Sequence, residues 1–240
     1  MRNPRRTARL RTNARKPISV SSPDRVVDSI IHGIFAGRYV PGQKLIEADL
    51  THGLGISRGP VREALKRLSA EGTVTLTRHR GAYIRALSRV EADDLLVVLE
   101  SLTGLMTRLA AETVQKGGHG ESLQEAFERL ATYRDGQQSG VDSMDNRTHF
   151  YDVLAEIGGN RQLARMLPTM QIHLLRLQIQ PYLDTAARNE QLRDYAEITH
   201  AVLEGEPADA ERAMRKHIRR ARARYAHIPD AAFSTPPGLG

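Results

Sequence analysis

The sequence predicts a mainly α protein in two parts: an N-terminal winged helix-turn-helix and a C-terminal all-α bundle of six helices. Three observations carry the prediction. A short segment, Ser57 to Leu68, reads as a helix with an apolar back and a cationic front. An alternating hairpin pattern follows it within a few residues. After residue 87 no strand pattern of comparable quality appears, and the apolar spacing is helical throughout.

Ser22-Pro23 starts the first helix, with Val27, Ile30, Ile31 and Ile34 as its apolar stripe. Leu45 to Leu54 is a second short helical segment, closed by Gly53 and Gly55. The third is Ser57 to Leu68, where Val61, Ala64, Leu65 and Leu68 recur at i, i+3, i+4 and i+7. Ser57 is placed to cap it, and Pro60 is tolerated in its first turn. Arg58, Arg62 and Lys66 are spaced by four and stack along another face. Two short helices joined by a Gly-containing turn make a helix-turn-helix. Thr73 to Thr77 alternates at period two, Arg78-His79-Arg80-Gly81 turns, and Ala82 to Leu87 resumes the strand, giving a wing with a basic tip. Ser88-Arg89-Val90-Glu91 is a capping box opening the second part. Leu95, Val98, Leu99, Leu102, Leu105, Met106 and Leu109 form its first stripe, ended by Gly117-Gly118. Further helices are predicted near 121–137, 142–157, 161–183, 188–204 and 207–227.

The predicted divisions are a disordered basic tail over 1–20, the winged domain over 21–87, the helical domain over 88–228 and a disordered tail over 229–240. The net charge is +7, and residues 1–16 hold seven cations and no acid. The other 224 residues carry 28 basic and 28 acidic side chains, so the folded body is formally neutral. Such a tail suits phosphate tracking and salt-dependent affinity. The absence of cysteine excludes disulfides and thiolate chemistry and points to a cytoplasmic setting. The longest clear apolar run is the five residues Leu95 to Leu99, against roughly 18 for a membrane span, so no membrane partner is expected. A helix held by an apolar side and showing a row of cations is suited to the DNA major groove.

Residues 25–87 resemble the winged-helix domain of GntR-family bacterial transcription regulators. The matching pieces are Gly37-Arg38-Tyr39-Val40-Pro41-Gly42 with Leu45, Ser57-Arg58, Pro60 to Leu65, Leu68, Glu71-Gly72 and Arg80-Gly81. The resemblance implies that Arg58 and Arg62 contact an operator, flanked by Ser57 and Lys66, with Arg78, His79, Arg80 and Gly81 at the minor groove. Some members carry a DNA-contacting arginine where this chain has Ala48.

Residues 89–225 are similar to the FCD effector domain of the FadR-type branch. The markers are Leu99-Glu100 with Leu109 to Glu112, Asp145 with His149, Gly159-Asn160 with Leu163, and Gly205 with Ala213-Met214 and His217. Six helices place it near the VanR-like subtype. The resemblance implies a small-molecule effector, an organic acid or other metabolite, and a homodimer on a palindromic double-stranded operator. Many such domains hold zinc or nickel through one aspartate and three histidines. Here Asp145, His149 and His217 match three of those positions, while Tyr195 stands where a histidine is expected. The alternative is a metal-free pocket in which Tyr195, His173 and His200 bond the effector. Leu96 stands where family members often carry a carboxylate-binding arginine. Two other classes compete: a metal-dependent hydrolase using Asp145, His149 and His217, and an effector-independent DNA-binding protein.

Overall fold

A computed structural model describes residues 21–77, 80–118, 120–132, 140–169 and 172–234, with 140–145 and 168–169 described by backbone alone. The expected basic tail, Arg78, His79 and the Asp145 side chain lie outside the described residues.

Helix α1 spans Ser22–Phe35, and its cap is Ser21, whose hydroxyl accepts from the Asp24 N–H. Its buried stripe is Val26, Ile30 and Ile34, with Val27 and Ile31 on the flank. Gly33 is bare because the Tyr39 ring lies where a Cβ would stand, 2.5 Å away. That contact explains the Tyr39 of the Gly37–Gly42 segment. Helix α2 spans Glu47–Leu54, and Gly55 closes it in the left-handed conformation at φ 62°. Helix α3 spans Arg58–Ala70 and buries Val61, Ala64, Leu65 and Leu68, as their spacing predicts. Arg67 of α3 reaches Asp24 of α1 at 2.6 Å. Hydrogen bonds from Ser21 and Arg67 hold the Asp24 carboxyl below its usual range.

Strands β1 (Lys44–Leu45), β2 (Val74–Thr77) and β3 (Gly81–Ile84) form an antiparallel sheet in the order β1-β3-β2. The hairpin β2–β3 is the predicted wing. β1 is two residues long, too short for alternation to show in the sequence.

The helical part comprises α4 (Arg89–Gln115), α5 (Glu121–Ala131), α6 (Gly140–Gly158), α7 (Arg161–Thr169), α8 (Ile172–Ile179), α9 (Thr185–Leu203) and α10 (Pro207–Tyr225). The Ser88–Glu91 capping box is present. The fold class is the one predicted, but the helix count is not. Seven helices stand among the described residues, because 161–183 holds α7, α8 and a 3-10 turn at Gln180–Tyr182. The count that pointed toward the VanR-like subtype is therefore gone. The α4 stripe is also rotated. Leu96, Leu99, Met106 and Ala110 are buried, whereas Val98 is 49% exposed. Among the described residues no helix is long and apolar enough to cross a membrane.

The segment after α10 departs from the expected frayed tail. Asp230–Ala232 forms a 3-10 turn, and the Ser234 N–H donates to the Leu87 carbonyl at 3.0 Å. Arg89 binds Asp230 and the carbonyls of Tyr225 and Ile228, and its guanidinium lies 4.4 Å from the Phe233 ring centroid. From the other side, Gln178 of α8 accepts from the Leu87 N–H at 2.9 Å and donates to its carbonyl at 2.8 Å. The junction between the two parts is thus gripped by α8 and by residues 225–234.

Candidate DNA-reading surface and helical-domain site

On α3 the apolar residues are buried, and Arg58, Arg62 and Lys66 are exposed together on the opposite face. Ser57 occupies the N-cap position, yet its hydroxyl makes no capping bond. That corrects its expected capping role and leaves the hydroxyl available to a ligand. Arg62 is oriented by Glu47 of α2, its Nε 2.9 Å from Oε2. Glu47 was not singled out in the sequence, because the pair joins two helices across 15 positions. In the wing, Arg80 is exposed, and the Tyr83 hydroxyl donates to its carbonyl at 3.2 Å. Gly81 takes φ +98°, a conformation that favours glycine at the tip.

Of the predicted metal donors, His149 lies on α6 and His217 on α10, and the Asp145 side chain is outside the described residues. On α6, Phe150, Val153 and Leu154 are buried. Phe150 packs on Tyr195 of α9 at 5.0 Å between centroids, and Tyr151 on Tyr195 at 6.4 Å. Arg147 lies one turn before Tyr151, and its Nη2 donates to Gln191 of α9 at 2.9 Å. The pair facing α9 is therefore Arg147 and Tyr151. His149 is about 200° around the helix from both. It shares a strip with Asn146, which donates to the Arg129 carbonyl of α5.

His217 of α10 is buried, with Nδ1 3.1 Å from Asp194 of α9 and its ring 4.7 Å from that of Tyr195. Burial presses His217 toward its neutral form, and Asp194 opposes this only in part. Burial raises Asp194, but bonds from His217 and Arg220 outweigh it and hold the carboxyl below its usual range. Among the described residues no three His, Asp or Glu side chains form a metal-holding group. Asp194 and His217 are a carboxylate and an imidazole of the kind that bind divalent ions, but Arg220 also bonds this carboxylate.

The expected pocket residues also separate. Tyr195 adjoins His217. His200 is exposed in a shallow groove with Glu197 and Lys216. It lies five residues beyond Tyr195 and so turns outward. His173 stacks on Phe35 of α1 at 5.1 Å, at the junction of the two parts. Burial there, with Arg176 nearby, pushes His173 down to about 4.

Comparison with known proteins agrees with this architecture. Residues 23–84 match the model of bacterial regulatory proteins of the gntR family, and residues 94–220 match the FCD domain. The chain is 28% identical over 214 residues to the "Probable D-xylose utilization operon transcriptional repressor" of Paenarthrobacter nicotinovorans, covering 88% of each. It is 20% identical over 212 residues to the Escherichia coli repressor RspR, covering 88% of this chain and 90% of that one. Among solved structures, E. coli McbR/YncC shares the fold with a TM-score of 0.70 at 19% identity, over 86% of this chain and 98% of that one. Such relatives are regulators rather than enzymes, and the hydrolase reading falls on that ground. The winged helix over 23–84 and an FCD domain over more than half the chain identify it as a member of the GntR family of DNA-binding bacterial transcription regulators.

Proposed function

We propose that this regulator is a repressor that binds a palindromic operator as a homodimer and is released by a small metabolite or organic acid in its helical domain. The observation that carries the reading is the face of α3, where Arg58, Arg62 and Lys66 stand exposed over a fully buried apolar back. Laid in the major groove, Arg58 and Arg62 have the forked donors that suit guanine edges and phosphates. Lys66 and the free Ser57 hydroxyl suit phosphate oxygens. Arg80, with Arg78 and His79 beside it in sequence, suits the adjacent minor groove.

One such helix reads only a few base pairs, so a second copy is needed for selectivity. Exposed Val90, Val97 and Val98 on α4 offer an apolar face for that copy. The name of the Paenarthrobacter relative supports repression over activation. The cytoplasm is the matching compartment, with the chain on the nucleoid when bound. Footprinting on the DNA beside its own gene tests the reading. Arg62→Ala should weaken protection by about 1–3 kcal/mol and relax base choice at one position of each half-site. An unchanged footprint removes Arg62 from the reading set.

A further inference from the structure

We propose that Lys44 of β1 is a further DNA-contacting residue, whose ammonium grips a backbone phosphate beside the wing tip; this rests on the reading of α3 and the wing as the DNA-facing surface. The strand pairing places the residue. Lys44 stands opposite Tyr83 of β3, and Thr75 of β2 stands opposite Tyr83 from the other side. Residues paired across a sheet share a face, as do alternate residues along a strand. Lys44, Tyr83, Thr75 and Gly81 therefore lie on one face. Leu45, Ala82, Val74 and Ile84 lie on the other and are buried in the core. Lys44 is exposed.

The direction of its side chain is informative. The Lys44 backbone is level with Tyr83, yet its Cε lies 3.5 Å from the point that a Cβ on Gly81 would occupy, two residues nearer the tip. The stem thus runs along the wing, and the ammonium, one bond further, sits beside the turn that carries Arg80. Tyr83 fixes that turn by donating its hydroxyl to the Arg80 carbonyl at 3.2 Å. At its other end Lys44 is close to the reading helix. It stands three residues before Glu47, whose carboxylate holds Arg62 of α3. Three residues of chain span at most about 11 Å. Lys44 therefore lies between the element that suits the major groove and the one that suits the minor groove. The ridge between two adjacent grooves is the phosphate backbone. A lysine ammonium, a compact point charge, meets phosphate there without reading sequence.

Charge pairing agrees. Arg67 is tied to Asp24 and Arg85 to Glu91, and on α10 Arg212, Lys216 and Arg222 are each tied to an acid. Among the described residues Lys44 has no ion pair, and neither have Arg58, Lys66 and Arg80. In a formally neutral body, the cations left without an acid include those of the reading helix and the wing, and Lys44 belongs with them.

The test is DNA binding by the full chain carrying Lys44→Met, followed by fluorescence anisotropy at several salt concentrations. Two duplexes serve as probes: a random sequence of about 30 base pairs and the segment protected beside the protein's own gene. Loss of a phosphate contact should weaken binding to both by the same factor, about threefold or more, and lower the salt slope by about one for each copy bound. Lys44→Arg should bind like the wild type. Lys116→Met removes the same charge from the exposed end of α4 and should lack the effect. Ethylation interference gives a second readout, since a phosphate whose modification blocks the wild type should cease to matter to Lys44→Met. Circular dichroism shows that the variant is folded, and Lys44→Gln takes its place if it is not. An unchanged affinity and slope, a loss confined to the protected segment, or an equal loss in Lys116→Met would overturn the proposal. Arg62→Ala on the same duplexes reports separately on α3. A loss there with Lys44→Met unchanged strikes Lys44 alone, whereas a loss in Lys44→Met with Arg62→Ala unchanged supports Lys44 and removes Arg62.

Discussion

Arg62 keeps 64% of its side chain exposed, yet its Nε is held by Glu47. An exposed pair of this kind contributes about 0–1 kcal/mol to stability. Its use is orientation, since engaging Nε aims the two terminal nitrogens as a fork. Glu47→Gln should therefore leave the melting temperature almost unchanged but blunt discrimination at the base that Arg62 reads. Competition between operators altered at that base measures it, and undiminished discrimination would show Glu47 idle. The cation row of α3 was legible in the sequence because its spacing and its apolar back agree. The interior arginines were not. Asp145 and His149 have a ligand-like spacing, but the buried Phe150, Val153 and Leu154 do not tell that face of α6 from the one that carries Arg147 and Tyr151. Nothing local marks Arg224, whose surroundings come from α9.

Helix α8 is eight residues long and touches three things. His173 meets Phe35 of the DNA-reading domain, Arg176 meets Tyr151 of α6, and Gln178 grips Leu87 at the junction. Arg176 and the junction contact of Gln178 thus share one short helix. Gln178→Met should strand the buried Leu87 N–H at a cost of about 1–3 kcal/mol. Faster proteolysis at the junction and a lower melting temperature would register it, and unaltered cleavage would count against the grip. His173 adds a pH dependence. Its folded value, about 4, lies below the ordinary 6.5, so the unfolded chain takes the proton first. Stability should be intact above about pH 6.5 and decline as pH falls toward about 4, with Arg176 as the facing cation. Melting curves of His173→Phe should be flatter over that window. The break between α7 and α8 was hidden from sequence reading because one apolar period runs through 161–183, whereas the wing was plain from its alternation and basic turn.

At the scale of the molecule, charge is divided unevenly. Residues 1–16 hold seven cations, and the remaining chain is formally neutral with 28 of each sign. Selective binding by the body must then come from placed cations, with the tail adding a general attraction. Deleting residues 1–16 should flatten the fall of affinity with salt while preserving operator preference. Titrations at several salt concentrations measure the slope, and an identical slope would show the tail idle. The segment after α10 bears on any such measurement. Ser234 bonds the same Leu87 carbonyl that Gln178 holds, and Asp230 and Phe233 clasp Arg89. Residues 230–234 are thereby part of the junction between the two parts. An affinity tag fused behind Gly240 would hang only a few residues from that clasp and could bias the angle between reading head and helical domain. Assays of switching should therefore carry their handle elsewhere.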